Sequence, residues 1–445
     1  MNSILVAKVE TDPLVHYGGI FNTLEMLLFL SLISFLLFLP FIRDGRYRNF
    51  LFFISFILPL LNVYYRNNNP FVGGVFLGHL FFIAGVLLIS FLAYYGSEQV
   101  NINTGTLLNK KVMLSVVLAV FAIRAFLLFG SRPTDSGIFS GVGGILYYTG
   151  SSMFRDYWGV VSIGSRYGPM LYLAYLPFVP IGHVTKYLLW GDALSPWDSV
   201  SDVPLAVAVS YSGALFYEGL IVFILTKSFK RYGYLASLLY ILNPLNSLIL
   251  SVNANELPQT AFFLAAIYFL RRPVVSSLLF VLSSLMKIYP LVVSLPFAFF
   301  AEPEKRKKSL LFVFLFFVAG FIYWLFEASL SPPELRTNPI RDIMFYQADP
   351  GPNHSLWNFT DLIFGKGVSV IIVVLLSLAI ISAVIYLCLR RRNILYLALR
   401  LSLMILAVLI IVNRSPHPGY YYFIQTLLFY LFFCCQEEHK QDCEV

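Results

Sequence analysis

The chain is poor in charge and in cysteine. Of its 445 residues 12% are charged and 58% hydrophobic, whereas a soluble domain carries roughly 25% charged residues. The cysteines, Cys388, Cys434, Cys435 and Cys443, fall late in the chain and form no C-x-x-C pair. Neither a disulfide framework nor a thiolate metal site is expected. Also missing are a Walker loop, a dinucleotide fingerprint, a zinc-protease motif and a Gly-x-Ser-x-Gly elbow. No Asp-x-Asp pair demands a metal, so none is expected. No helix-turn-helix or zinc-finger pattern points to nucleic acid. The net charge of +8 sits in basic clusters between apolar runs, where it reports topology rather than a nucleic-acid surface. No internal repeat or low-complexity tract occurs.

What remains is a succession of long apolar runs. They lie at about 20–42, 50–64, 71–95, 112–129, 168–189, 204–225, 232–250, 256–270, 274–300, 309–326, 367–389, 393–412 and 418–435. Runs of this length read as membrane helices. The first, Ile20 to Ile42, is too long for a signal-peptide core and is expected to be retained. The fold class is therefore an all-α polytopic membrane protein of about 11–13 transmembrane helices. Residues 1–109 form extra N-terminal helices, 110–435 the main membrane module, and 436–445 a cytoplasmic tail. A multi-pass plasma-membrane location follows. The basic groups at Arg43 to Arg48, Lys110-Lys111, Lys227–Arg231, Arg271-Arg272, Glu304–Lys308 and Arg390–Arg392 face the cytoplasm. The loops at about 130–168 and 327–366 then lie outside.

Strict alternation fails twice. Between the outside loop after Phe129 and the inside loop at Lys227 lie two runs where an odd number of crossings is needed. The run at about 168–189 is expected to dip in and return. Between Arg271-Arg272 and Lys305–Lys308, both cytoplasmic, lies one run interrupted by Lys287-Ile288-Tyr289-Pro290. A lysine at the centre of a lone span is costly, and proline removes a helix hydrogen bond. Two short helices meeting at Lys287 would resolve both problems, as broken helices do where they line a polar cavity. A kinked span whose lysine pairs with an acid is the plainer alternative.

The outside loops carry the candidate chemistry. Asp135 stands about six residues beyond the 112–129 run, where a carboxylate would take a proton from a hydroxyl at the membrane boundary. Its position equally suits a helix cap. Gly141, Gly143, Gly144 and Gly150 are expected to loosen the segment that follows. The same side holds Arg166 and Tyr167, Asn253 and Glu256, Asn353 and His354, and His417. Loops gathered on one face of a bundle are where binding groups collect.

These residues, in their order, resemble the GT-C superfamily of integral-membrane glycosyltransferases, nearest the polyprenyl-phosphate-mannose-dependent mannosyltransferases of glycosyltransferase family 87. The likeness rests on Asp135, Tyr167-Gly168-Pro169-Met170, Lys287 with Pro290, and Asn353-His354-Ser355-Leu356, and covers about 112–430. Gly168 replaces a common proline, His354 a common glutamine, and Asn253-Ala254-Asn255-Glu256 a Gly-Gln-like turn. The resemblance implies a GT-C-like bundle with an external catalytic loop and a polyprenyl- or dolichyl-phosphate sugar (mannose or another hexose or pentose) as donor. The acceptor is a hydroxyl of a lipid, glycan or protein outside the membrane, and transfer inverts the anomeric centre. Asp135 is then the general base, with Asp156 or Glu256 as alternatives. Lys287, Arg166, His354 and His417 would contact the donor phosphate, and Asn253, Glu256, Asn353 and Tyr167 the sugar or acceptor. No cofactor beyond the lipid-linked sugar is implied. The rival reading is a transporter or lipid flippase built on the broken helix at Lys287. A non-catalytic subunit of a membrane complex is a third.

Overall fold

The computed structural model describes residues 110–129, 135–151, 168–190, 203–230, 232–243, 256–287, 289–300, 303–330, 395–412 and 418–441, with a few isolated positions at 246 and between 365 and 386. All secondary structure among these is helical. In chain order the helices are α1 (Lys110–Phe129), α2 (Asp135–Tyr148), α3 (Pro169–Tyr175), a 3-10 turn (Leu176–Phe178) and α4 (Val179–Trp190). Then come α5 (Val203–Ser228), α6 (Gly233–Leu242), α7 (Glu256–Tyr268), α8 (Pro273–Met286) and α9 (Tyr289–Phe300). The described part ends with α10 (Pro303–Ser329), α11 (Leu395–Val412) and α12 (Pro418–Gln441). The runs expected at about 20–95 and most of the 327–366 loop lie outside the described residues.

The sequence punctuates these helices with proline. α3, α8, α10 and α12 each begin on one, where the missing N–H is no loss, and α6 stops before Pro244. Two helices, over Pro204–Ser228 and Lys307–Ser329, are long and apolar enough to cross a membrane. They sit differently. α5 is the hub, in contact with α1, α2, α3, α4, α6 and α7. α10 packs mainly on α8 and leaves Leu311, Phe314, Leu315, Val318, Ile322 and Phe326 exposed along one stripe. α12 runs on to Gln441, five residues past the expected start of the tail at Gln436.

The glycines after Asp135 do the opposite of loosening. A Cβ on Gly141 would stand 2.0 Å from the Ala206 carbonyl oxygen of α5, and one on Gly143 2.3 Å from the Tyr172 ring of α3. Gly144 lies against the Tyr175 backbone in the same way. Small residues at such crossings let backbones approach closely. Ser210 Oγ adds a 2.6 Å hydrogen bond to the Gly137 carbonyl. Gly150 ends α2: it takes φ +79°, and Ser151 N–H closes on the Leu146 carbonyl at 2.8 Å, the wrap-around cap that favours glycine. So α2 is a helix inserted in the bundle, with Ile145 and Leu146 buried, and Asp135 is its first residue.

Candidate functional site at the break between α8 and α9

α7 and α8 form an antiparallel hairpin whose register is written in serines. Ser276 Oγ donates to the Ala266 carbonyl at 2.9 Å, near the Arg271-Arg272 turn. About two turns further along, Ser283 Oγ donates to the Gln259 carbonyl, also at 2.9 Å. One more turn brings Lys287 opposite Glu256, and the two side chains make an ion pair. Both are largely enclosed, at 12% and 5% side-chain exposure. An ion pair withdrawn from solvent this far depends on both partners being present.

Lys287 also marks a break. Its backbone is extended, at φ −147° and ψ 136°, and α9 starts two residues later at Tyr289. α8 and α9 are thus about 21 and 18 Å long at 1.5 Å per residue, each too short for a hydrocarbon layer of about 30 Å. The expected interruption at Lys287 is present, and Lys287 has an acidic partner as well. Pro290 sits in the first turn of α9, and Pro296 within it.

The end of α8 is clamped from two sides. A Cβ on Gly168 would lie 1.8 Å from the Leu285 carbonyl oxygen and 3.2 Å from the Trp324 ring. A Cβ on Gly320 of α10 would lie 2.1 Å from the Leu285 side chain. The glycine that replaces the resembling family's proline is therefore required here: no residue with a Cβ fits while α8 keeps its place. Gly168 thus joins the start of α3 to the residues just before Lys287.

Near the ion pair lie buried polar atoms that have no hydrogen-bond partner among the described residues. Gln259 and Thr260 are fully buried, one turn on from Glu256 and on its face of α7. Among the described residues, both amide atoms of Gln259 and the Thr260 hydroxyl have no hydrogen-bond partner. The Tyr175 hydroxyl is likewise buried without one, and Tyr175 lies within electrostatic range of Glu256. Its backbone lies against Gly144 and its ring against Gly213, edge-on to Tyr217, whose hydroxyl bonds the Ala174 carbonyl at 2.6 Å. These contacts pack the helix that Asp135 opens against α3 and α5.

A second buried polar cluster lies where α5, α6 and α12 meet. The Tyr240 hydroxyl donates to Glu218 Oε2 at 3.1 Å and meets the Tyr422 hydroxyl at 2.5 Å. Asn243 Nδ2 donates to Gln425 Oε1 at 3.0 Å. Glu218, Tyr240 and Tyr422 have no exposed surface.

Of the residues singled out in the sequence, the structure brings together Glu256 and Lys287. Asp135 is described through its backbone alone. Asp156, Arg166, Tyr167, Asn253, Asn353, His354 and His417 lie outside the described residues. Sequence reasoning passed over Tyr175, Gln259, Thr260 and Glu218. The spacing of Gln259 and Thr260 from Glu256 was a usable signal, since positions three and four apart share a helix face. Tyr175 and Glu218 carried none. Among the described residues, no group of three or more His, Cys, Asp and Glu side chains is placed to hold a metal. Compared with known protein families, curated proteins and solved structures, the chain matches none.

Proposed function

We propose that the protein is a multi-pass membrane glycosyltransferase of the GT-C kind. In this reading it moves a sugar from a polyprenyl- or dolichyl-phosphate donor to an acceptor hydroxyl at the outer face. The observation that carries the reading is Lys287: a lysine at a helix break, enclosed by the bundle and held by one carboxylate. The exposed apolar stripe on α10 supports the membrane setting, because lipid chains would cover it.

The reaction runs as a single displacement. The acceptor oxygen attacks the anomeric carbon, the bond from that carbon to the phosphate oxygen breaks, and the configuration inverts. Asp135, at the start of α2, takes the acceptor proton. The departing polyprenyl phosphate gains negative charge, and the Lys287 ammonium turns from Glu256 to meet it. A cation fixed where charge develops, in a site closed to water, stabilises the transition state strongly. Glu256 holds Lys287 in place beforehand and is freed as the phosphate binds, which leaves it open to a sugar hydroxyl. Arg166, His354 and His417 remain proposed phosphate contacts, Asn253, Asn353 and Tyr167 proposed sugar contacts, and Asp156 the reserve base.

The test is sugar transfer by purified, lipid-reconstituted protein offered a panel of polyprenyl-phosphate sugars. Asp135→Asn should fold normally and lose about 10²–10⁴-fold in rate. Full activity in Asp135→Asn would remove the base assignment. Inert donors together with movement of a lipid or solute across the bilayer would favour the transport reading, for which a discontinuous helix is also apt.

A further inference from the structure

Gln259 and Thr260 make an unusual pair. Each is a neutral polar side chain with no exposed surface. Neither has a hydrogen-bond partner among the described residues. A buried amide left this way costs stability that an apolar residue of the same shape would not. Such groups call for an explanation, and a ligand that supplies the missing partners is one. The position narrows what that ligand is. Both residues lie on the Glu256 face of α7, and helical side chains lean toward the N-terminal turn, which here is the turn of Glu256. The Ser283 bond fixes the Gln259 backbone against α8, one turn from Lys287. The Tyr175 hydroxyl on α3, also without a partner among the described residues, lies within electrostatic range of Glu256.

We infer that Gln259 and Thr260, with Tyr175, form a recognition site for the hydroxyls of the donor sugar, closed at rest by the Glu256–Lys287 ion pair. This rests on the glycosyltransferase reading above and adds to it the part that reads the sugar. The chemistry points to a neutral polyol rather than a second anion. The three side chains are uncharged, and Glu256 beside them would repel an anion. A glutamine amide presents a donor and an acceptor in one plane, which suits two neighbouring hydroxyls of a pyranose or furanose ring. The ion pair acts as the latch. When the donor phosphate draws Lys287 from Glu256, the carboxylate is freed and the polar face beneath it opens to the sugar next to the phosphate. The same residues that lack partners in the closed state then gain them, so selection for the sugar is coupled to binding of the phosphate.

The experiment measures affinity of the full chain, in lipid nanodiscs, for polyprenyl monophosphate and for polyprenyl-phosphate mannose, glucose and a pentose. It compares the native protein with Gln259→Leu and Thr260→Val, and records thermal unfolding without ligand. The expected result has three parts. Affinity for the sugarless phosphate is unchanged. Affinity for the best sugar-bearing donor falls about tenfold or more, as loss of buried hydrogen bonds implies. The ligand-free unfolding temperature stays level or rises, because an unpaired buried amide has been removed. The inference is overturned alone if the native chain binds sugarless and sugar-bearing phosphates equally, or if Gln259→Leu leaves donor affinity untouched. It is also overturned if the variant unfolds earlier and loses both affinities in parallel, which is the mark of a structural role. A native chain that binds no polyprenyl phosphate at all sinks the glycosyltransferase reading and this one together.

Discussion

The cluster where α5, α6 and α12 meet and the cluster at the break between α8 and α9 are both sealed inside the bundle. Their polar atoms are treated differently. In the first, Tyr240 bonds both Glu218 and Tyr422, and Asn243 bonds Gln425. In the second, one ion pair stands beside three side chains whose polar atoms have no partner among the described residues. A network that closes on itself braces helices and specifies how they meet. A network with open valences is costly to keep, and binding a ligand is a reason to keep it. The supporting frame differs in the same sense. In the first, Glu218, Tyr240, Tyr422 and Gln425 stand within helices, and Asn243 just past the end of α6. The second sits at an extended residue, beside Gly168, which admits no Cβ, and Gly320, whose Cβ would meet the movable end of the Leu285 side chain.

Six single substitutions sharpen or break this contrast. The largest effect is expected from Lys287→Ala. It leaves Glu256 buried and unpaired, which should cost about 3–5 kcal/mol of stability, and it should lower transfer by about 10²–10³-fold. Pairing it with Glu256→Leu should restore the unfolding temperature but not the activity. Recovery of both would mean the ion pair is only a brace. Gly168→Ala comes next. Its Cβ would meet the Leu285 backbone, which cannot rotate away, so a loss of about 1–3 kcal/mol is expected, along with weaker donor binding as Lys287 is displaced. Gly320→Ala should be gentler, because it meets the flexible end of the Leu285 side chain; equal thermal shifts for the two would argue against the clamp.

Tyr422→Phe belongs to the closed cluster. It should lower stability by about 1 kcal/mol and leave donor affinity unchanged in a binding titration. A marked fall in affinity would dissolve the distinction between the two clusters. Ser283→Ala and Ser276→Ala are expected to be smallest, about 0.6 kcal/mol each by thermal unfolding. Of the two, Ser283→Ala should disturb transfer more, because it lies nearer Lys287.

The helix at Lys287 shows how much a sequence can reveal about a site. A lysine inside an apolar run, followed by a proline, suggests either a break or a kinked span with an acid paired to the lysine, and the structure has both the break and the acid. The partner itself, Glu256, was legible only as one acid among several on the same side. Choosing it required the antiparallel register of α7 on α8, set by two serine-to-carbonyl bonds. The glycines after Asp135 show where local reading fails. In isolation they suggest a loose segment, since glycine favours freedom. In the bundle three of them are contact points and the fourth stops a helix. Likewise Glu218 is a single acid in a long apolar run, and nothing local announces that Tyr240 bonds it and Tyr422 bonds Tyr240.

The sequence alone determined that the described residues are helical, where helices begin on proline, and that Lys287 interrupts one run. These depend on hydropathy and backbone chemistry, which act over a few residues. Tertiary structure decided which acid meets Lys287, why Gly168 admits no side chain, and which buried polar groups are paired and which stand open. Those outcomes depend on close packing between helices far apart in the chain. An ångström of approach there separates a contact from a clash, and one turn of register decides which side chains meet.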